Sequence, residues 1–239
     1  MFLLLIGLSL PGCKKDESGN TTATANSPAA TSAPSQELDI AAAADLQFAL
    51  KDLAAEYTKT HPEADVKITY GSSGNFFTQI TNKAPFDLFL SADMSYPNQL
   101  VEKGLAQKGS EFQYAQGRIV LWAPNGSKFD PATRKMKALL DPSLKKLAIA
   151  NPQHAPYGRA AKSALEKYKL WDTLQPKIVM GQNIAETAQF VQSGNADAGI
   201  IALSLALAPP MKNASTYFQI PLEDYPKMDQ GGVVLSYAK

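Results

Sequence analysis

The stretch YGSSGN, residues 70–75, joins a run with the alternation of a β-strand, ADVKITY (64–70), to a run with helical spacing, NFFTQITNK (75–83). Small hydroxyl residues between glycines at a strand-to-helix turn suit two kinds of site. One is a nucleophilic serine on a sharp turn, and the other is an anion held by the free amides at the start of a helix. The organisation of the remaining chain bears on the choice.

Strand-like and helix-like runs alternate from Leu38 onward. LDIAAAA (38–44) reads as a buried strand, and the apolar residues from Leu46 to Tyr57 then recur with the spacing of a helix that buries one face. This alternation predicts an α/β fold with parallel sheets.

Two successive α/β blocks predict two lobes. Residues 38–115 form the first block and 116–215 the second, and the strand-like segment 216–239 is predicted to return to the first lobe. Ligands of such sheets bind at the carboxyl ends of the strands, so we expect the site in a cleft between the lobes.

Composition excludes several classes of function. The 239 residues carry a net charge of +1, which argues against a nucleic-acid partner, because phosphate backbones are met by clustered Lys and Arg. The single cysteine, Cys13, excludes an internal disulfide and a Cys-rich metal centre. The only histidines, His61 and His154, offer little material for a metal site, and no clustered carboxylates have metal-ligand spacing.

The N-terminus resembles that of a bacterial lipoprotein. MFLLLIGLSL (1–10) is apolar but too short to span a bilayer, and LPGC (10–13) is similar to a lipobox. We therefore expect a lipoprotein signal peptide over 1–13, a lipid on Cys13, a flexible linker over 14–37 and a membrane-anchored protein in the periplasm or another extracytoplasmic location. The absence of a basic residue before the apolar run indicates a late start, and a free thiol in an apolar tail remains the alternative.

Four strand-to-helix junctions are candidates for the site. Each is expected to place unpaired helix amides at the carboxyl end of a strand, where they and the helix dipole attract an anion without any lysine or arginine. Alternatively, the Ser, Asp and Asn residues there only cap their helices. The junctions are Ala44-Asp45-Leu46, Gly71-Ser72-Ser73-Gly74, Ala155-Pro156-Tyr157-Gly158 and Gln182-Asn183-Ile184-Ala185.

The enzyme alternative is a lipoprotein esterase with Ser73 as nucleophile. A nucleophile elbow is Gly-x-Ser-x-Gly, but Asn75 occupies the place of the second glycine. His154 is the candidate base, and no acid partner for it is evident. The pattern favours a binding protein without catalytic residues.

The chain resembles the ModA family, the molybdate-binding proteins of bacterial ABC importers. The resemblance covers nearly everything from Leu38 to about Leu203. It is carried by AAAADLQFALKDLAAEY, YGSSGNFFTQI, APFDLFLSAD, GRIVLWAP, NPQHAPYGRAA and NIAETAQFVQSGNADAGIIAL.

The resemblance implies a type II-like periplasmic-binding-protein fold, with a cleft that closes on molybdate or tungstate. It implies no cofactor and no separate metal site, because the metal is bound only as its oxyanion. It also implies delivery to an ABC permease in the cytoplasmic membrane by a monomer. The oxyanion donors carried over are Ala44, Asp45, Ser73, Tyr157 and Ile184. Sulfate or another oxyanion, and a degenerate copy kept for a partner contact, remain alternatives.

Three departures from the family pattern lead to further expectations. Ala44 and Asp45 stand at the first junction, where many relatives place Ser, Thr or Asn, and we expect the Asp45 side chain to cap its own helix, since a carboxylate facing a dianion is repulsive. Ala202 stands where some relatives use a tyrosine, so Tyr157 is expected to supply that hydroxyl. Relatives continue past the position of Lys239 with helices on the first lobe, so an uncovered apolar face is expected there.

Overall fold

The computed structural model describes residues 36–238. The predictions for the signal peptide and Cys13 lie outside these residues, as does nearly all of the predicted linker. Its last two residues, Gln36 and Glu37, already belong to the first strand.

Strands and helices alternate along the described chain as predicted. The strands are β1 (Gln36–Ala43), β2 (Ala64–Gly71), β3 (Leu88–Ser91), β4 (Phe112–Gln116), β5 (Ile119–Pro124), β6 (Leu147–Ala150), β7 (Ile178–Gly181), β8 (Ala198–Ala202), β9 (Ser215–Gln219) and β10 (Asp229–Val234). The α-helices are α1 (Gln47–Thr60), α2 (Ser73–Thr81), α3 (Ser95–Glu102), α4 (Pro131–Arg134), α5 (Pro156–Lys167), α6 (Trp171–Leu174), α7 (Ile184–Gln192) and α8 (Leu203–Ala206).

Two five-stranded sheets confirm the two-lobed α/β fold. The first has the order β2-β1-β3-β10-β4 and the second β7-β6-β8-β5-β9. β1, β2 and β3 are parallel, as are β6, β7 and β8, whereas β5, β9 and β10 run antiparallel to their neighbours. The chain passes between the sheets after β4 and again between β9 and β10, so two crossing segments connect the lobes.

The segment 216–239 divides between the lobes instead of returning to the first as a whole. β9 pairs with β5 in the second sheet, from Val120 opposite Gln219 to Pro124 opposite Ser215, and only β10 joins the first sheet. The physical reason is that β5 is buried along Ile119–Ala123 and its backbone groups need partners on both edges. β8 supplies one edge and β9 the other.

The core of the second lobe extends to the junctions of the first. Trp122, Leu121 and Ile149 are fully buried in it. Ala43 and Ala44, at the end of β1, pack into the same cluster. Small side chains at these positions let the two lobes approach closely around the strand ends.

The predicted core face of α1 is not buried. Its apolar residues line a groove of about 450 Å³ against the first sheet, and Leu53 is 64% exposed. Phe112 and Tyr114 of β4 form the opposite wall. The first lobe thus exposes an apolar face along α1 in residues 36–238. No helix in this range is long and apolar enough to cross a membrane.

Candidate functional site

All four predicted junctions meet around one small cavity between the lobes. Its free volume is about 10 Å³, comparable to the space for a single water molecule. No lysine, arginine or histidine lines it. The lining residues are Ala43, Ala44, Asp45, Gly71, Ser72, Ser73, Ala92, Ala155, Pro156, Tyr157 and Ile184. The structure thus brings together every predicted site residue of the described chain.

The first junction presents a buried carboxylate. Asp45, 3% exposed, lies in a 3-10 turn that begins after β1. Its Oδ2 accepts hydrogen bonds from the Tyr157 hydroxyl at 3.0 Å and from Nε2 of Gln230 at 2.9 Å. The turn has no side-chain cap, so the expectation that Asp45 caps its own helix is wrong. Residues far apart in the chain supply stronger partners than the local amides.

The two oxygens of the Asp45 carboxylate differ. Oδ2 has two donors, whereas Oδ1 is buried and has no hydrogen-bond partner among the described residues. Burial raises the pKa of this carboxyl to about 6, although the hydrogen bonds from Gln230 and Tyr157 act in the opposite direction. The carboxylate is therefore incompletely satisfied in a cavity of otherwise neutral groups.

The YGSSGN turn is the start of α2. Ser72 caps the helix, with its Oγ accepting from the Asn75 amide at 3.4 Å. Ser73 is 1% exposed, and its Oγ accepts from the amide of Ala92 at 2.9 Å. Since that bond uses a lone pair of the hydroxyl, the Ser73 proton remains available to a ligand oxygen. The turn has the chemistry of an anion cradle.

The third junction places the Tyr157 side chain on Asp45. Pro156 opens α5 and has no N–H, so the amide of Tyr157 is the first that the helix can offer to the cavity. The hydroxyl donates its one proton to Asp45 and accepts from Gln230 at 2.9 Å. Burial, with Asp45 close by, raises the pKa of Tyr157 well above its ordinary value, so the phenol keeps its proton. The hydroxyl proton is thus donated to Asp45 in this structure, and a contact of the Tyr157 hydroxyl with an anion stays a prediction.

The fourth junction is a well-capped helix start. Oδ1 of Asn183 accepts from the amides of Ala185 and Glu186, at 3.0 and 2.9 Å. Ile184, the first residue of α7, lines the cavity, and its amide has no partner inside the helix because of its position. Capping and anion binding are thus compatible here, because they use different amides.

Direct hydrogen bonds hold the lobes closed beside the cavity. The Gly74 amide donates to the carbonyl of His154 at 2.9 Å, and Oγ of Ser72 contacts Nδ1 of the same histidine at 2.9 Å. Further out, Arg159 of α5 forms an ion pair with Asp93 at 2.7 Å and donates to the Tyr96 hydroxyl at 3.2 Å. These contacts tie the starts of α2 and α3 in the first lobe to the second lobe.

The geometry does not support Ser73 as a nucleophile. The serine that contacts His154 is Ser72, which also caps α2. Within residues 36–238, no carboxylate accepts a hydrogen bond from the His154 ring to orient it as a base. Burial lowers the pKa of His154. The described residues also contain no cluster of His, Cys, Asp and Glu suited to a metal ion.

Gln230 is the site residue that the sequence analysis missed. It lies in β10, is 3% exposed, and bonds both Asp45 and Tyr157. A glutamine followed by the apolar run Gly231–Val234 was the available signal, since a polar side chain that is buried with its strand needs partners. The partners themselves cannot be read from the local pattern.

A two-lobed α/β protein with helix N-termini around an inter-lobe cavity has the architecture of a solute-binding protein. The family model described as bacterial extracellular solute-binding protein matches residues 38–239, and this chain belongs to that family.

Relatives within the family carry the ModA name. The molybdate-binding protein ModA of Rhodobacter capsulatus is 37% identical over 199 residues, 83% of this chain and 76% of the relative. ModA of Azotobacter vinelandii is 35% identical over 88% of this chain and 82% of its own length. The solved structure of the Azotobacter vinelandii periplasmic molybdate-binding protein superposes with a TM-score of 0.78 at 33% identity, covering 84% of this chain and 86% of that one. The predicted family resemblance is confirmed.

Proposed function

We propose that this protein is the extracytoplasmic solute-binding component of an ABC importer and that it binds molybdate between its lobes. The observation that carries the proposal is the convergence of four strand-to-helix junctions on one cavity in a chain whose relatives are named for molybdate. These relatives are transport proteins, so the protein is a receptor rather than an enzyme.

Neutral hydrogen-bond donors hold the anion. The Ser73 hydroxyl and the amides at Ala44, Asp45, Ser73, Tyr157 and Ile184 are the proposed donors. Helix N-termini contribute partial positive charge at four points around the cavity, so a dianion is stabilised without a cationic side chain. Tyr157 also positions Asp45 through its hydroxyl.

Closure of the lobes accompanies binding. The cavity of about 10 Å³ is smaller than a tetrahedral oxyanion. The cavity therefore widens locally around the ligand, the lobes open to admit it, and the inter-lobe contacts beside the cavity form again in the complex. The anion favours the nearly closed form only by its greater affinity for that form, which has donors from both lobes.

Size is the proposed basis of selectivity. Donors without charge do not distinguish one dianion from another by charge, so the span between the two lobes favours molybdate and tungstate over the smaller sulfate. The proposal includes a monomer that requires no cofactor, delivers the anion to a membrane permease and is attached to the membrane by a lipid on Cys13.

Isothermal titration calorimetry on the full chain tests the function. One site for molybdate and tungstate, with sulfate and phosphate much weaker, is the expected result. Preferential binding of sulfate would keep the architecture and overturn the assigned ligand. Failure of all four anions to bind a chain that is folded by circular dichroism would refute an oxyanion receptor.

A further inference from the structure

We propose that the anion is bound together with one proton, which is shared between Oδ1 of Asp45 and an anion oxygen. Asp45 would then determine which anions bind and at which pH. The inference rests on the proposed function and adds a proton as a second component of the bound state.

The geometry leaves one place for that proton. Oδ2 of Asp45 already accepts from Tyr157 and Gln230, whereas Oδ1 is buried beside the cavity without a partner among residues 36–238. A buried carboxylate oxygen without a hydrogen bond is costly. A proton on Oδ1 removes the charge and turns the oxygen into a donor, which is what an anion oxygen in the cavity requires.

The titratable and charged groups around Asp45 do not compensate its charge. The titratable neighbours are Tyr157 on α5 and Tyr114 on β4, and burial raises the pKa of both phenols. α8 carries no titratable residue, and Glu186 of α7 bonds the Gln182 amide. On α1, Lys51 and Asp52 are exposed. In the described part of the chain, no cation pairs with Asp45.

Ligand charge strengthens the preference for a proton. Burial already raises the pKa of Asp45 to about 6. A dianion in the same cavity raises it further, because like charges disfavour ionisation. The complex therefore binds a proton more tightly than the free protein does. Below about pH 6 the carboxyl is already neutral and affinity is independent of pH. Above that value affinity falls about tenfold per pH unit, until the pKa of the complex is reached.

The test is titration of the full chain with molybdate from about pH 5 to about pH 8.5, in buffers of different ionisation enthalpy. We expect proton uptake near zero at the acid end and close to one per bound anion near pH 8. With a pKa in the complex well above 8, affinity falls about 50-fold between pH 6 and pH 8, since half of the free carboxyl is already ionised at pH 6.

Asp45→Asn provides the sharpest variant. Its amide can retain the bonds to Tyr157 and Gln230 through the oxygen and present an N–H where Oδ1 stands, like a permanently protonated carboxyl. We expect pH-independent affinity, with molybdate bound more tightly than by the wild type at pH 8. Asp52→Asn, the same change on the exposed face of α1, should retain the wild-type pH dependence. His154 is unchanged in both variants, so its own titration does not produce the difference.

Each remaining outcome has a distinct meaning. Molybdate binding with flat pH dependence and no proton uptake would overturn the inference and leave the proposed function intact. Loss of binding by folded Asp45→Asn at all pH values would also overturn it. Failure of the folded wild type to bind any oxyanion would overturn both. Binding of hydrogen phosphate in preference to molybdate, without proton uptake, would overturn molybdate as the ligand and support the shared proton, since that anion brings its own.

Discussion

Replacing Gly74 by alanine should weaken the closure of the two lobes without unfolding the first lobe. A Cβ built on Gly74 would lie 2.5 Å from the carbonyl oxygen of His154, which is backbone of the opposite lobe. The change Gly74→Ala adds this methyl in the first turn of α2, where alanine suits the helix better than glycine does. Within the first lobe the same Cβ would lie 2.9 Å from the hydroxyl of Tyr96, which is the far end of a side chain and free to shift, so the lobe itself should tolerate the variant.

The magnitude follows from the closed contacts. The methyl and the His154 oxygen must move apart by about 0.9 Å, from 2.5 Å to ordinary contact near 3.4 Å. A shift of that size stretches the Gly74–His154 hydrogen bond, now 2.9 Å, beyond hydrogen-bonding range. Its loss costs about 1 kcal/mol, and weakening of the partly exposed Arg159–Asp93 pair adds up to about 1 kcal/mol. Closure should thus be destabilised by about 1–2 kcal/mol, a 5- to 30-fold loss of affinity.

Calorimetry with molybdate measures the loss, and small-angle X-ray scattering with saturating ligand measures closure. Asn75→Ala is the matched control, because Asn75 is the next residue of the same helix and is exposed. Wild-type affinity and compaction in Gly74→Ala would refute the argument that this contact limits closure. Loss of the folded circular dichroism signal would show that the methyl acts within the lobe.

Three further changes test other parts of the structure. Ser73→Ala removes a proposed anion donor and leaves the Ala92 amide without its acceptor. Molybdate affinity should fall by about 1.5–3 kcal/mol in calorimetry, and unchanged affinity would remove Ser73 from the donor set. Arg159→Ala should weaken molybdate binding only a few-fold, since the Arg159–Asp93 ion pair is worth at most about 1 kcal/mol. The difference in affinity from the wild type should shrink at high salt, and a large, salt-independent loss would contradict this. The raised pKa of Asp45 means that the native state binds this proton more tightly than the unfolded chain, so stability should fall as pH rises from about 4 to about 6, by up to about 3 kcal/mol. In urea unfolding, the free energy of unfolding of Asp45→Asn should rise relative to that of the wild type between pH 4 and pH 7. An equal difference between the two proteins at both pH values would contradict the raised pKa of Asp45.

Local sequence patterns were sufficient to predict the features that depend on neighbouring residues, namely the strands, the helices and the helix starts. Alternating apolar periods predicted the two α/β blocks, because a strand or helix must bury one face wherever it lies in the fold. Hydroxyl, amide and glycine residues at the strand ends marked the helix starts. Four such starts at the carboxyl ends of strands predicted the neighbouring positions of Ser73, Tyr157 and Ile184, which the structure places around one cavity.

The tertiary structure decided everything that depends on distant partners. Asp at a helix start is a good local cap, but Asp45 bonds Tyr157 and Gln230, which are 112 and 185 residues away in the chain. The apolar pattern of β9 did not show which sheet it would join, and the free edge of β5 decided that. The sequence by itself determined the elements, the lobes and the amides that face the cavity, since these follow from periodicity and helix geometry. Only the folded chain determined the burial of Asp45 and the closure contacts, because hydrogen bonds and desolvation depend on what the fold brings together.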